Sequence, residues 1–200
     1  MEFSEVVRRR RMVRRYDGRP VDPASLERIL EAASRAPSAG FAQGQSFVVI
    51  TDSGVRHAVA GCCGEDRHVA AGRPPWVSSA PVLVVPCVRP ATYIERYAEP
   101  DKDAAERASS WAVPFWWVDG GASLMLLLLA AVDEGLSAGF LDVADRAELR
   151  VLLGVPGDVE PLGVVTLGYR HPEERLVGSA VRRRRGSGVH RERWEDGSTV

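Results

Sequence analysis

Apolar positions along the chain recur at helical spacing in some stretches and run continuously in others, and the two patterns together predict a mixed helix-and-strand domain. Phe3, Val6 and Val7 mark a short helix over roughly 3–11 that runs into a row of arginines. Asp17-Gly18 reads as a turn. Asp22 is an N-cap with Pro23 at the first helical position, and Leu26, Ile29, Leu30 and Ala33 give the helix behind it an apolar stripe that Pro37 ends. After a loop at 38–46, Phe47–Ile50 is a continuous apolar run and predicts a buried strand. Asp52 or Ser53 caps a short helix after it, and Pro81–Val88 is a second strand. Residues 89–114 are the most irregular stretch and read as a lid-like excursion. Residues 116–134 form a strongly apolar helix that stops at Gly135, Phe140-Leu141 continue as a short strand, Asp145 caps a helix to Leu153, and 162–169 is a third strand. From His171 onward the periodicity is lost, and the tail to residue 200 reads as an extended arm of a single domain spanning 1–200.

Composition narrows the class. The chain has 200 residues with 45% apolar and 26% charged side chains, which suits one soluble domain with a substantial core. A net charge of −1 argues against a general nucleic-acid binder, but the positive charge is concentrated in Arg8–Arg11 with Arg14 and Arg15, and again in Arg182–Arg185 with Arg191 and Arg193. Lys102 is the only lysine, so the choice of Arg over Lys at one position carries little weight, whereas the positions themselves do. Cys62, Cys63 and Cys87 fit neither a disulfide framework nor a metal-binding spacing, and His57, His68, His171 and His190 add no ligand spacing. They read as reduced thiols in a cytoplasmic protein. The apolar core Leu124–Val132 is too short to span a bilayer, and no secretory signal opens the chain.

The residues that can carry chemistry are modest when taken singly. Arg10 and Arg14, at i and i+4 of a helix end, can converge on a phosphate, for which a planar, permanently charged guanidinium is suited; a solvated basic helix end accounts for them equally well. The 37–46 loop offers Ser38, Gln43, Gln45 and glycines to the edge of a heterocycle, or is a plain connection. Gly139–Asp142 brings backbone N–H groups behind the apolar helix, or is an ordinary strand edge. Arg182–Arg185 is a phosphate contact or a basic tail. There is no Rossmann fingerprint, P-loop or hydrolase nucleophile motif.

In their order along the chain these segments resemble the nitroreductase superfamily. Arg10-Arg11-Met12-Val13-Arg14-Arg15-Tyr16 is similar to its R-R-S-x-R-x-F signature, and Ala36-Pro37-Ser38-Ala39-Gly40-Phe41-Ala42-Gln43 to its A-P-S-x-x-N-x-Q-P-W loop. Asp119–Gly139 resembles its long central helix with the Gly-Leu-Gly segment behind it. Leu162–Tyr169 resembles its late strand ending in Gly-Tyr, and Arg182–Arg185 its closing basic cluster.

The resemblance implies an α+β, nitroreductase-like fold, a mixed or antiparallel central sheet flanked by helices, in an intertwined homodimer with FMN at the subunit interface. It implies that Arg10, Arg11, Met12 and Arg14 meet the flavin from one subunit, and that Pro37, Ser38, Ala39, Phe41 and Gln43 meet it from the other. Leu141, Asp142 and Val143 would lie over the ring near N5, and Arg183 and Arg185 would reach the phosphate. NAD(P)H would deliver hydride to N5 and a small oxidised acceptor of nitroaromatic or quinone type would take it away. The flavin, and no side-chain nucleophile or metal, would carry the chemistry. Tyr93, Tyr97, Trp111 and Phe115 are candidates to line the substrate slot, or to pack a core. The family's Ser is Met12 here and its loop Asn is Phe41. Those departures keep open a same-fold flavoenzyme with another reaction: dehydrogenation of a biosynthetic intermediate, or the oxygen-dependent flavin cleavage whose branch the Gly-Phe pair resembles. A nucleic-acid binder using both Arg clusters is the reading from a different class.

Overall fold

The computed structural model of the chain describes residues 1–102, 108–174 and 188–194. Its order is α1 (Phe3–Arg9), α2 (Pro23–Ser34), β1 (Gln45–Ile50), α3 (Ser53–Cys62), α4 (Glu65–Ala70), β2 (Val82–Val88), α5 (Pro90–Arg96), α6 (Phe115–Asp133), β3 (Ser137–Leu141), α7 (Arg146–Leu153), β4 (Glu160–Pro161) and β5 (Val164–Gly168). The strands form one sheet in the order β1-β2-β5-β3, with β4 paired to the end of β2, and every strand pair is antiparallel. Beyond β3, Met12 makes an isolated parallel bridge to Ala138. The architecture is the α+β one that the sequence predicts.

The two-residue alternation of strands divides the core between the two faces of this sheet. Ile50, Leu83, Val85 and Val164 face one side with Val59, Val77 and Leu149. Val82, Val84, Val165 and Leu167 face the other, against Ile29 and Ala33 of α2 and Leu127, Leu128 and Ala131 of α6. Central β2 is buried along its whole length. The expectation of a buried strand at Phe47–Ile50 needs correction: β1 is the edge strand, and of its residues only Ile50 is buried.

Helix ends follow the local chemistry. Asp22, Asp52 and Asp145 each accept a backbone N–H from the residue three positions on. Pro23 and Pro90 occupy first-turn positions where a missing N–H costs nothing. Gly135 follows α6 at φ 74°. By length and composition α6 is apolar enough to cross a membrane. In this fold one side of it packs on α2, β2 and β3 as a core helix.

Three local expectations are revised. The first helix stops at Arg9, and the chain from Arg10 is extended, with Val13 N donating to Ala138 O at 3.0 Å. Docking onto β3 and burial of Val13 and Tyr16 override continued helix, so Arg10 and Arg14 do not meet through helical spacing. The excursion at 89–114 contains a regular helix, α5. Between α3 and β2 the chain forms α4, whose Glu65 is buried and accepts N–H bonds from Trp76, Val77 and Ser78.

Candidate active site

The segment Arg10–Tyr16 is a strip along the open side of β3. Gly139 makes that approach possible: a Cβ there would stand 2.5 Å from Val13 O, 2.7 Å from Thr166 Oγ1 and 3.1 Å from Trp76 Nε1. On its other edge the strip pairs with the chain leaving β5. Tyr16 bridges to Arg170, His171 N donates to Arg15 O at 3.0 Å, and Arg14 N donates to Glu174 Oε1 at 3.1 Å. Tyr16 anchors the strip from below; its hydroxyl lies 2.7 Å from Thr166 Oγ1, and burial pushes its pKa above the ordinary phenol range.

The strip sorts the arginines. Arg8 and Arg9 both pair with Glu5, and Arg15 pairs with Glu173. The guanidinium groups of Arg10, Arg11 and Arg14 form no ion pair among the described residues, although the backbone N–H of Arg14 meets Glu174. Arg11 donates to the carbonyls of Arg8 and Arg10. The guanidinium of Arg14 lies over the indole of Trp76, 4.9 Å from the ring centroid. Arg11 also lines a cleft of about 440 Å³ with Arg9, Arg19, Ser137, Tyr169 and Arg170, whose walls contain no acidic side chain among the described residues. Arg11 and Arg14 thus serve different parts of the surface. Arg183 and Arg185, with the rest of Arg182–Arg185, lie outside the described residues.

Leu141 ends β3 beside this strip and is half-buried. Asp142 is exposed; its carboxylate accepts Val143 N at 2.8 Å and pairs with Arg146 at 2.6 Å. The Val143 N–H and then Arg146 hold its pKa below the ordinary carboxylate range. Val143 has its side chain in the core, leaving only its backbone to a ligand.

The loop Pro37–Gln43 lies elsewhere. It leads into edge strand β1, four strand steps across the sheet from Met12, roughly 19 Å at the usual inter-strand spacing. It is a built turn, not a flexible connection. Ser38 Oγ accepts Gln43 N at 2.8 Å, Ala39 N donates to Asp119 Oδ2 at 2.8 Å, Arg96 Nε donates to Gly40 O at 2.9 Å, and Gln45 Nε2 reaches Pro37 O at 3.2 Å. Gly40 is left-handed at φ 61°, and a Cβ there would meet Tyr97 at 2.7 Å. Phe41 and Gln43 are left-handed without being glycine, and the Phe41 ring is 75% exposed.

Tyr93, Tyr97, Trp111 and Phe115 are brought together, with Trp116, in one edge-to-face cluster under this loop. Tyr93 is fully buried and belongs to a small core of its own with Ala42 and Ala108, while Phe115 is exposed. The sequence reading missed Trp76 and Asp119. Trp76 follows Pro74-Pro75, a turn signal. Asp119 is the one acid inside an otherwise apolar helix interior, which is itself a sign of a buried partner. The thiols are free, and burial raises all three: Cys63 to about 12, Cys87 to about 11, Cys62 less.

The sequence model of the nitroreductase family matches residues 7–169. The chain belongs to the nitroreductase family. A provisionally named NADH dehydrogenase/NAD(P)H nitroreductase of Archaeoglobus fulgidus is 29% identical over 197 residues, which cover 96% of this chain and 99% of that protein. The NADH dehydrogenase of Thermus thermophilus is 30% identical over 196 residues, 84% of this chain and 91% of that one. Among solved structures, a nitroreductase family protein from Clostridium difficile 630 superposes with a TM-score of 0.72 at 21% identity, covering 97% of this chain and all of that one. An FMN-dependent nitroreductase from Clostridium difficile R20291 gives 0.70 at 18% identity over 94% and 98%. This nitroreductase-family chain therefore has the family's fold, and its relatives' names support an NAD(P)H-dependent oxidoreductase.

Proposed function

We propose that this chain is an FMN-dependent oxidoreductase that moves hydride from NAD(P)H to a small oxidised acceptor of the nitroaromatic or quinone type, as a soluble cytoplasmic homodimer. The observation that carries the reading is the sorting of the N-terminal arginines. Of the six between residues 8 and 15, the three whose guanidinium groups form no ion pair among the described residues are Arg10, Arg11 and Arg14, the three that the resemblance to the family signature assigns to the flavin. Guanidinium groups without an ion pair, one of which, Arg11, lines a cleft with no acid among the described residues of its walls, suit a phosphate. Glu5, shared by Arg8 and Arg9, and Glu173, paired with Arg15, offset part of the charge that the cluster would offer a nucleic acid.

The donor set fits the flavin. Arg10 and Arg11 would hold its phosphate and Arg14 its pyrimidine edge. The backbone at Leu141–Val143 would lie along the ring, and the stacked Arg14 would favour negative charge there. FMN, when bound, supplies hydride acceptance and donation at N5. The second half of the predicted site, Pro37–Gln43, stands on the opposite edge of the sheet, which supports a site closed by a second copy. Exposed Phe3 and Val7 on α1, and Phe115, Trp117, Val118 and Met125 on α6, give that copy an apolar face. The absorbance spectrum of the purified protein, followed by anaerobic titration with NADH and NADPH, tests the reading. Flavin bands bleached by either nicotinamide are expected. A colourless protein that takes up no added FMN would overturn it.

A further inference from the structure

The one buried carboxylate of α6 has no part in the reaction as proposed, yet it is built into the loop on which half of the site depends. Asp119 is 7% exposed. Its Oδ2 accepts the N–H of Ala39 at 2.8 Å, the first residue of the turn that contains left-handed Gly40 and Phe41. Beside it, the buried hydroxyl of Tyr93 has no hydrogen bond of good geometry among the described residues. From the far side Arg96 holds Gly40 O, and the Tyr97 ring fills the space a side chain at residue 40 would take. A left-handed conformation at Phe41 and at Gln43 is unfavourable for residues with a Cβ, and persists only where the surroundings enforce it. The enforced result is an aromatic ring held outward, 75% exposed, on a turn whose own hydroxyl, Ser38 Oγ, staples Gln43 N. A free loop would hide Phe41 or relax it; a pinned one presents it.

We propose that Asp119 is a positioning residue: through the Ala39 N–H it holds the 38–43 turn in its left-handed form, so that Phe41 is presented as a flat apolar wall to a planar acceptor bound at the site of a second copy of the chain. The part about the acceptor rests on the proposed function. The part about the turn does not. A buried carboxylate suits the task because a charge-assisted bond to a backbone N–H is stronger than a neutral one, and α6, which carries it, packs on α2, β2 and β3.

Two variants of the full chain test this. Asp119→Leu removes the acceptor while keeping the volume, and Asp119→Asn keeps an acceptor oxygen at the same place. Hydrogen exchange is read first, on the protein without flavin. In the Leu variant, amides 39–43 are expected to exchange about tenfold faster or more, the scale of one lost charge-assisted bond, with β2 and α2 unchanged. The Asn variant is expected to recover most of the protection. Steady-state kinetics with a planar quinone is read second. With FMN saturating, the Leu variant is expected to raise the KM for the quinone about tenfold, a larger change than in kcat or in the rate of flavin reduction, again with rescue by Asn. Unchanged exchange in the Leu variant overturns the proposal. Faster exchange with an unchanged KM overturns it too, because Asp119 would then be structural only. A protein that exchanges as expected but binds no FMN would sink the proposed function and leave the role of Asp119 in the turn standing.

Discussion

The guanidinium of Arg14 lies over the indole of Trp76, 4.9 Å from its centroid, and the peptide N–H of the same Trp76 donates to Glu65 at 2.6 Å. A buried carboxylate on α4 therefore fixes a turn, the turn fixes an aromatic face, and the face fixes a cation beside β3. A cation over an indole face is worth about 0.5–2 kcal/mol, depending on how far it is desolvated. Trp76→Leu is expected to weaken FMN binding by about two- to thirtyfold, with little change in unfolding free energy beyond the lost ring contacts. Fluorescence titration of the flavin-free variant with FMN checks it. An unchanged dissociation constant would detach Trp76 from the site.

The sorting of the arginines gives a sharper contrast. Arg10→Ala with Arg14→Ala removes two unpaired guanidinium groups, each worth about 1.5–3 kcal/mol in a charge-assisted contact, so flavin should be lost on gel filtration. Arg8→Ala with Arg9→Ala removes two cations already turned to Glu5 at the exposed end of α1, and should retain it. Equal losses in the two double variants would mean that only net charge matters.

Much of this was legible in the sequence, and the reasons differ from element to element. Asp22-Pro23 and Asp145 announce their helices because capping is local chemistry, complete within four residues. The run Val82–Val88 shows as a strand because a central strand is buried on both faces and has no polar alternation to hide it. Phe47–Ile50 carries the same signal yet lies at the sheet edge, since sheet order is a tertiary fact that no single strand contains. Arg10 and Arg14 stand out in the sequence on helical geometry, which the fold replaces with an extended strip; the Met12–Ala138 bridge spans more than a hundred residues of sequence and has no local signature. Trp76 and Asp119 went unnoticed for the same reason. Each acts through a partner distant in sequence, Arg14 or Ala39, and only the fold puts those pairs together.

The cysteines offer a test that needs no flavin. Burial holds Cys63 at about 12 and Cys87 at about 11, so almost no thiolate exists in the folded protein at pH 8. Modification by a disulfide reagent at that pH should be slower than in denaturant by on the order of a hundredfold or more. A thiol that reacts at the same rate in the native and denatured protein would contradict the packing around α3 and β2.

One carboxylate near the aromatic cluster should resist acid. The Arg96 guanidinium holds the Asp101 carboxyl down to about 2. An unfolded Asp titrates near 3.9, so the pair's contribution is fully present above about pH 4 and is lost as the pH falls through about 2. A carboxyl titration followed by NMR should put the Asp101 midpoint near 2, and Arg96→Met should move it up towards the ordinary value. The same variant removes the donor to Gly40 O, so amides of the 38–43 turn should exchange faster in it. A midpoint that stays low without Arg96 would assign the shift to another group.

Assembly is the remaining condition, and it follows from where the two halves of the site lie. Arg10–Arg14 and Pro37–Gln43 border opposite edges of one sheet, so a single chain presents each half alone. On α6, Phe115, Val118 and Met125 fall at i, i+3 and i+10, one side of the helix, and all are exposed. A stripe of that kind, continued by Phe3 and Val7 on the neighbouring α1, costs solubility unless it is covered, and a two-fold copy of the same stripe covers it at both chains at once. Sedimentation should therefore give twice the chain mass of 21.8 kDa. Val118→Glu with Met125→Glu should return it to a monomer that is folded by circular dichroism. If, as proposed, the second copy also supplies the loop, that monomer should release FMN, although no arginine has been touched. A variant that stays dimeric would move the interface to another face, and a monomer that keeps its flavin would mean that one chain closes the site by itself.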